Sequence, residues 1–424
     1  MTSVSVLAQV LTAAALGAED EAPPPPSIAR SLRLPDGRAG LKAAGVDLSY
    51  AYIGEYFNVV SGGVSHGSSF NGRLEQTLYL DLDKLAGWRG STLHAHAFAI
   101  HGRGASVSHL ADAATVSNIE ALETVRLFEL WMEQALFDGR VTIRFGQLAA
   151  DSEFFISETA AQFFNGTFGW PGTTAANMTQ GGPAYPLATP GVRVLVKPVD
   201  HITVLAAIYN GSPADPEAED AQRDNRHGLD FRLGDPPLVM AEGQVRYTSG
   251  LLGGLPGTFK LGGWHEFATF SDKLTGAEIE GNGGIYAVID QGLWTEAAGG
   301  AINFLARVSG TPRRQNEIDF YADAGLVFTG FVPGRPADTI GLAAGYGHVS
   351  PRVSARQIAD QAAVISDFEA VIEVNYSAEI VPGWTIAPDF HYLWHPGGGT
   401  ENPAKPGRAI EDTAIVGVRT NVVY

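Results

Sequence analysis

GRLEQTLYLDLD, Gly72 to Asp83, alternates with a period of two residues. Leu74, Leu78, Leu80 and Leu82 fall on one face, with Gln76 the single exception, while Arg73, Glu75, Thr77, Tyr79, Asp81 and Asp83 fall on the other. Successive side chains of a strand point to opposite sides, so the stretch reads as a strand with one apolar and one charged face. A soluble sandwich would bury the leucines. A membrane barrel would turn them to lipid and point the acids and Arg73 into water.

The pattern recurs along the chain. Gly139 to Gln147 sets Val141, Ile143 and Phe145 against Arg140, Thr142 and Arg144, and before it Phe128, Leu130 and Met132 oppose Glu129, Trp131 and Glu133. Asp138-Gly139 between them is a two-residue hairpin signal, which predicts that these two strands pair. Further strands are predicted over 46–57, 91–101, 191–197, 201–209, 237–247, 257–269, 284–294, 300–308, 317–329, 337–348, 367–378, 384–394 and 410–423. The total is about 16, an even number that suits an all-β, transmembrane antiparallel barrel.

The connections discriminate further, because a membrane barrel has short turns at one end and long loops at the other. The short set is 84–90, 138–139, 198–200, 295–299, 330–336 and 379–383, and the long set is 59–71, 102–123, 148–190, 210–236, 270–283, 349–366 and 395–409. The two sets alternate, so every long connection falls on one side, the outer side if the N-terminus is periplasmic. The segments 248–256 and 309–316 fit least well. A sandwich has no reason to sort its loops in this way.

Composition agrees. With 51 Gly and only 17% charged residues, apolar positions are plentiful but diluted, and no run in the body of the chain approaches the about 20 apolar residues of a spanning helix. A net charge of −18 with no dense basic cluster argues against nucleic acid as a partner. The absence of cysteine removes disulfides, thiol catalysis and Cys-ligated zinc, and it suits passage through an oxidising compartment.

Residues 1–18, MTSVSVLAQVLTAAALGA, read as a signal peptide, although no Lys or Arg precedes Arg30. Residues 19–45, with Pro23 to Pro26, read as a periplasmic lead-in, and 46–424 as the barrel. At the other end, Ala414, Val416, Val418, Val422 and the terminal Tyr424 share one face, as in the last strand of an outer-membrane barrel. Trp88, Trp264, Trp294, Trp384 and Trp394 lie near strand ends, where an interfacial aromatic girdle would sit.

Four segments are similar to the carbohydrate-selective porin family of the OprB type: RFGQLAADSEFFIS from Arg144, the Phe163-Phe164-Asn165-Gly166 step, Tyr185-Pro186 to Gly191, and APDFHYLWHPGGG from Ala387. The resemblance extends from about residue 46 to the end. His391, where the family usually carries Gln, and Tyr424, where it commonly carries Phe, depart from it. The resemblance implies a 16-stranded barrel, a third outer loop that narrows the lumen, and passive uptake of monosaccharides such as glucose. Independently, Leu148 to Pro190 is the longest connection and the third on its side, rich in Phe, Gly, Thr and Asn.

A sugar presents hydroxyls that donate and accept, together with weakly apolar C–H faces, so a selective lining needs charged or amide groups beside an aromatic platform. Arg73, Glu75, Glu129, Trp131, Glu133 and Arg144 meet that description on inward faces and are the candidate lining, against the simpler reading of a generic polar lumen. No catalytic residue, metal or cofactor is assigned. Gly63-Val64-Ser65-His66-Gly67 matches the nucleophile pattern G-x-S-x-G, but it lies in a loop before another strand, not before a helix. His94 and His96 share a face and could begin a metal site, yet the sequence fixes no third ligand. Glu129 and Glu133 would stand about 13 Å apart along a strand, too far for a glycosidase pair. The expected partners are small neutral sugars and outer-membrane lipid, with homo-oligomer assembly left open. A barrel enzyme or adhesin using the long loops is the alternative, and a soluble β-sandwich binding protein a distant third.

Overall fold

The computed structural model describes residues 26–33, 37–249, 254–296 and 299–424. The strands are β1 (Val46–Gly63), β2 (Gly67–Asp81), β3 (Ser91–Arg103), β4 (Thr124–Leu136), β5 (Val141–Leu148), β6 (Thr189–Val199), β7 (Ile202–Asn210) and β8 (Pro237–Ser249). They continue as β9 (Leu255–Ser271), β10 (Glu278–Thr295), β11 (Ala301–Gly310), β12 (Ile318–Thr329), β13 (Thr339–Val349), β14 (Phe368–Val381), β15 (Trp384–Trp394) and β16 (Glu411–Val423). Each pairs antiparallel with its chain neighbours, and β16 closes on β1 with Tyr56 opposite Val418, so the sheet has no free edge. In hydrocarbon that closure is required, since every unpaired backbone N–H or C=O there would cost several kcal/mol.

The outer face confirms the sorting of side chains. Phe70, Val125, Leu261, Phe267 and Ile285 point outward and are between 51% and 71% exposed, in a band that a water-soluble surface would not tolerate. Among the described residues no helix is long and apolar enough to cross a membrane; the strands do so instead.

Several boundaries differ from expectation. The 59–71 connection is mostly strand, since β1 runs to Gly63 and β2 starts at Gly67, and likewise β9 and β10 leave only 272–277 between them. Leu82 belongs to a short helix, Leu82–Ala86, that Asp81 caps by accepting from the Asp83 and Lys84 backbone N–H groups at 3.1 and 3.2 Å. The β4–β5 turn is centred on Asp138-Gly139 as expected, since Leu136 pairs with Val141, but it is wider than two residues: it spans 137–140, and Phe137, Asp138 and Gly139 all take positive φ. The remaining long connections, 104–123, 149–188, 211–236, 350–367 and 395–410, do lie at one end.

Two inward-facing corrections matter more. Pairing of β3 with β4 jumps from His96↔Glu129 to Ala97↔Leu127, leaving Phe128 as the extra residue of a bulge. A bulge shifts the alternation by one, so Phe128 and Glu129 both enter the interior, where the Phe128 ring meets Phe98 at 5.0 Å. Trp264, expected in the outer girdle, is instead buried inside with Tyr286 and Met240. The inner wall of β7 to β10 is thus apolar in part, not uniformly polar.

Residues 1–18 and the Pro23 to Pro25 part of the lead-in lie outside the described residues. After Pro26 the chain forms two short helices, Ile28–Ser31 and Arg38–Ala43, before β1. Ser31 Oγ donates to the Pro382 carbonyl at 2.5 Å, which ties this segment to the β14–β15 turn.

Candidate pore site

Residues 149–188, the third connection on the outer side, fold into the barrel. Phe155 N–H donates to Glu242 of β8 at 2.9 Å, Lys260 of β9 donates to the Ile156 carbonyl at 2.8 Å, and Ser157 Oγ donates to Asp290 of β10 at 2.5 Å. Across the lumen, Phe164 and Asn165 N–H donate to Glu373 of β14 at 2.7 and 2.9 Å. Arg307 of β11 donates to the Thr167 and Gly169 carbonyls at 3.0 and 3.1 Å. Irregular backbone inside a barrel must find partners, and inward acids and Arg307 supply them. The loop's phenylalanines fill the apolar stretches of wall: Phe155 stacks on Tyr286 at 4.2 Å, and Phe163 and Phe168 join Phe57, Leu305 and Val327.

This loop meets the candidate lining at β4 to β6. Glu133 lies directly across from Arg144 in the sheet and accepts from its Nε at 3.1 Å. Arg193 of β6, the next inward position, donates to Glu133 at 2.7 Å and to Glu153 of the loop at 2.9 Å. Arg144 also reaches Glu153 at 3.4 Å, so two guanidinium groups and two carboxylates form one neutral network. Above it, Trp131 has the Arg144 guanidinium over one ring face at 3.7 Å and the His94 imidazole stacked at 4.4 Å.

Arg73 and Glu75 form a second group. They pair with each other, and the Arg73 guanidinium sits 4.7 Å from the ring centres of both Phe98 and Tyr185. Glu129 lies between the two groups and accepts from Ala149 N–H at 3.1 Å. All six candidate residues thus share one wall, β2 to β5, but the loop covers most of them. Trp131 and Glu129 are about 5% exposed, and the Glu133 side chain, at 22%, is the most open.

Sequence reasoning missed Arg193, Glu153, Arg307 and Glu373. Period two in the 191–197 strand puts Arg193 on the inward face and would have found it. Glu153 carries no such signal, because its role comes from how the loop folds back. A cavity of about 230 Å³ opens between residues 113–120, the loop and β12 to β14, with Glu120, Asp151, Trp170, Tyr185, Tyr346 and Glu369 on its lining. Ser65 of the G-x-S-x-G stretch sits in the tight β1–β2 turn with its hydroxyl 2.8 Å from His109 Nδ1. No helix follows Ser65; β2 does, so the strand–turn–helix elbow is absent.

A closed antiparallel barrel with an apolar outer face, long loops at one end and one loop laid across its lumen is the architecture of an outer-membrane channel. Residues 65–424 match the family described as carbohydrate-selective porin, OprB family, and the chain belongs to that family, in the bacterial outer membrane. Porin B of Pseudomonas aeruginosa is 24% identical over 433 aligned positions, covering 91% of this chain and 89% of that one. The high-pH structure of OprB from Pseudomonas putida superposes with a TM-score of 0.80 at 19% identity, over 91% of this chain and 96% of that one. The outer-membrane channel DcaP of Acinetobacter baumannii is more distant, with a TM-score of 0.53 at 11% identity over 90% and 98% of the two chains.

Proposed function

We propose that the barrel passes small neutral sugars such as glucose by passive diffusion, and that Arg73, Glu75, Glu129, Trp131, Glu133 and Arg144 form the selective part of its wall. The observation that carries this reading is the charge balance at Trp131. Arg144 and Arg193 are matched by Glu133 and Glu153, so this stretch offers donors and acceptors in equal measure without a net field to favour either sign of ion. The partly open Glu133 presents hydrogen-bonding oxygens to hydroxyls, while buried Trp131 holds Arg144 in place. The net charge of −18 does not oppose this, because charges in the long loops are screened over about 8 Å at physiological salt.

The chain works as a channel and not as an enzyme in this reading. Planar-bilayer recording tests it: glucose added to the bath should reduce single-channel current reversibly, with no sugar converted. A barrel that conducts no ions, or that hydrolyses the sugar, would refute the channel.

A further inference from the structure

His94 and His96 sit two apart on β3, so both imidazoles face inward, with ring centres 6.0 Å apart. The bulge at Phe128 turns Glu129 to the same face, directly across the sheet from His96. Each of the three can place a ligand atom within 4.8 Å of the other two. His94 Nε2 and Glu129 Oε2 are 3.9 Å apart, too far for a hydrogen bond. An ion about 2.0–2.2 Å from each would hold such atoms roughly 3.4 Å apart in tetrahedral geometry, so this pair would need to close by about half an ångström.

Three further observations point to a ligand here. His96, 5% exposed, has its Nε2 without a hydrogen-bond partner. Glu75, Glu133 and Glu153 each pair with arginine, but Glu129, 5% exposed, has no arginine or lysine within ion-pair distance among the described residues. Finally, the surrounding charges do not repel a cation: Arg73, Arg144 and Arg193 are balanced by Glu75, Glu133 and Glu153. Glu75 Oε2, 3.8 Å from His96 Nε2 and itself unpartnered, adds a second acidic oxygen at the edge.

We propose that His94, His96 and Glu129 bind one divalent transition ion of the zinc class in the barrel wall, with the fourth position taken by water. Two imidazoles and a carboxylate are a donor set that suits zinc and disfavours magnesium or calcium, which take oxygen ligands. The bound ion adds two positive charges beside Trp131, so it shifts the pore towards anions. Its binding does not depend on which solute the lumen carries.

The test uses the full barrel in detergent, purified without a histidine tag and stripped with chelator. Calorimetric titration with zinc should show one ion per barrel, and His96→Gln and Glu129→Gln should each weaken binding at least tenfold. His265→Gln, on the outer face of β9, should leave it unchanged. Cobalt(II) added to the stripped parent should give the intense visible absorption of a four-coordinate ion, abolished by zinc. Undiminished affinity in either site variant, or no stoichiometric uptake by the parent, would overturn the site. Should a variant fail to fold, the cobalt spectrum of the parent decides: a weak, six-coordinate spectrum overturns it.

Discussion

The Arg144 guanidinium carbon lies 3.7 Å from the centre of the Trp131 ring, and the residue paired with Trp131 on β5 is Gly146. A buried cation–π contact of this kind contributes about 2 kcal/mol. Its geometry depends on both neighbours. Glu133 and Glu153 hold the guanidinium, and the missing side chain at position 146 lets the Trp131 backbone approach.

Gly146 has φ +135°, and a Cβ there would lie 2.3 Å from the Leu130 carbonyl oxygen and 2.7 Å from Trp131 Cα. Gly146→Ala is expected to cost about 1–3 kcal/mol in backbone strain and to displace Trp131. Heat-resistance of the folded band in denaturing gels should fall, and glucose flux with it. Gly243→Ala, where a Cβ meets nothing within 4 Å, should match the parent in both.

Arg307 and Asp323 are an ion pair 2.5 Å long with both side chains fully buried, and Arg307 also donates to three loop carbonyls, Phe155, Thr167 and Gly169. Arg307→Ala strands a buried carboxylate, at an expected cost of about 3–5 kcal/mol. The double variant Arg307→Met/Asp323→Leu should recover most of that stability. Both variants remove the Arg307 tether from the loop, so both should raise single-channel conductance, while the single one lowers the unfolding temperature more than the double. Parental conductance in the double variant would show that the loop does not rely on Arg307.

Asp272, in the β9–β10 connection, ties two loops together by accepting from Arg352 Nε and Nη2 at 2.9 and 2.6 Å and from Arg314 Nε at 3.0 Å. The Arg352 hydrogen bonds, then the Leu274 and Thr275 backbone N–H groups and Arg314, hold its carboxyl far below the usual carboxylate range. A lowered folded value means that the stabilisation is fully present above the ordinary carboxylate pKa of about 4 and is lost only as pH falls through the lowered value. Amide exchange in 350–367, corrected for intrinsic rates, should therefore stay constant from neutral pH down to about 4. Asp272→Asn should speed it already at neutral pH; equal rates in parent and variant would remove the clamp from this account.

The barrel was legible in the sequence because period two is written locally: the Leu74, Leu78 and Leu80 face, the Glu133 and Arg144 pairing across the β4–β5 turn, and the one-sided long loops all follow from residues near one another in the chain. The bulge at Phe128 was not legible, since inserting one residue leaves both flanking alternations intact and only the partner strand reveals the slip. Trp264 was misplaced for a related reason. The sequence reading puts it near a strand end, but β9 runs from Leu255 to Ser271 and places it mid-strand, and its inward parity, with Glu266 and Lys260, is set by pairing with β8 and β10. Glu153 and Glu373 act on or through a loop that crosses the lumen, and no short-range pattern encodes where such a loop lands.

The central claim is that the wall around Trp131 and Arg144 favours neutral sugar over ions. Glucose entry into proteoliposomes, measured beside the potassium-to-chloride preference of the same preparations, tests it most directly. Trp131→Ala and Arg144→Ala should each slow glucose entry, and Arg144→Ala should also move the pore towards cations, because Glu133 and Glu153 then outnumber Arg193. Parental sugar flux and ion preference in both variants would contradict the account and place selection elsewhere along the third loop.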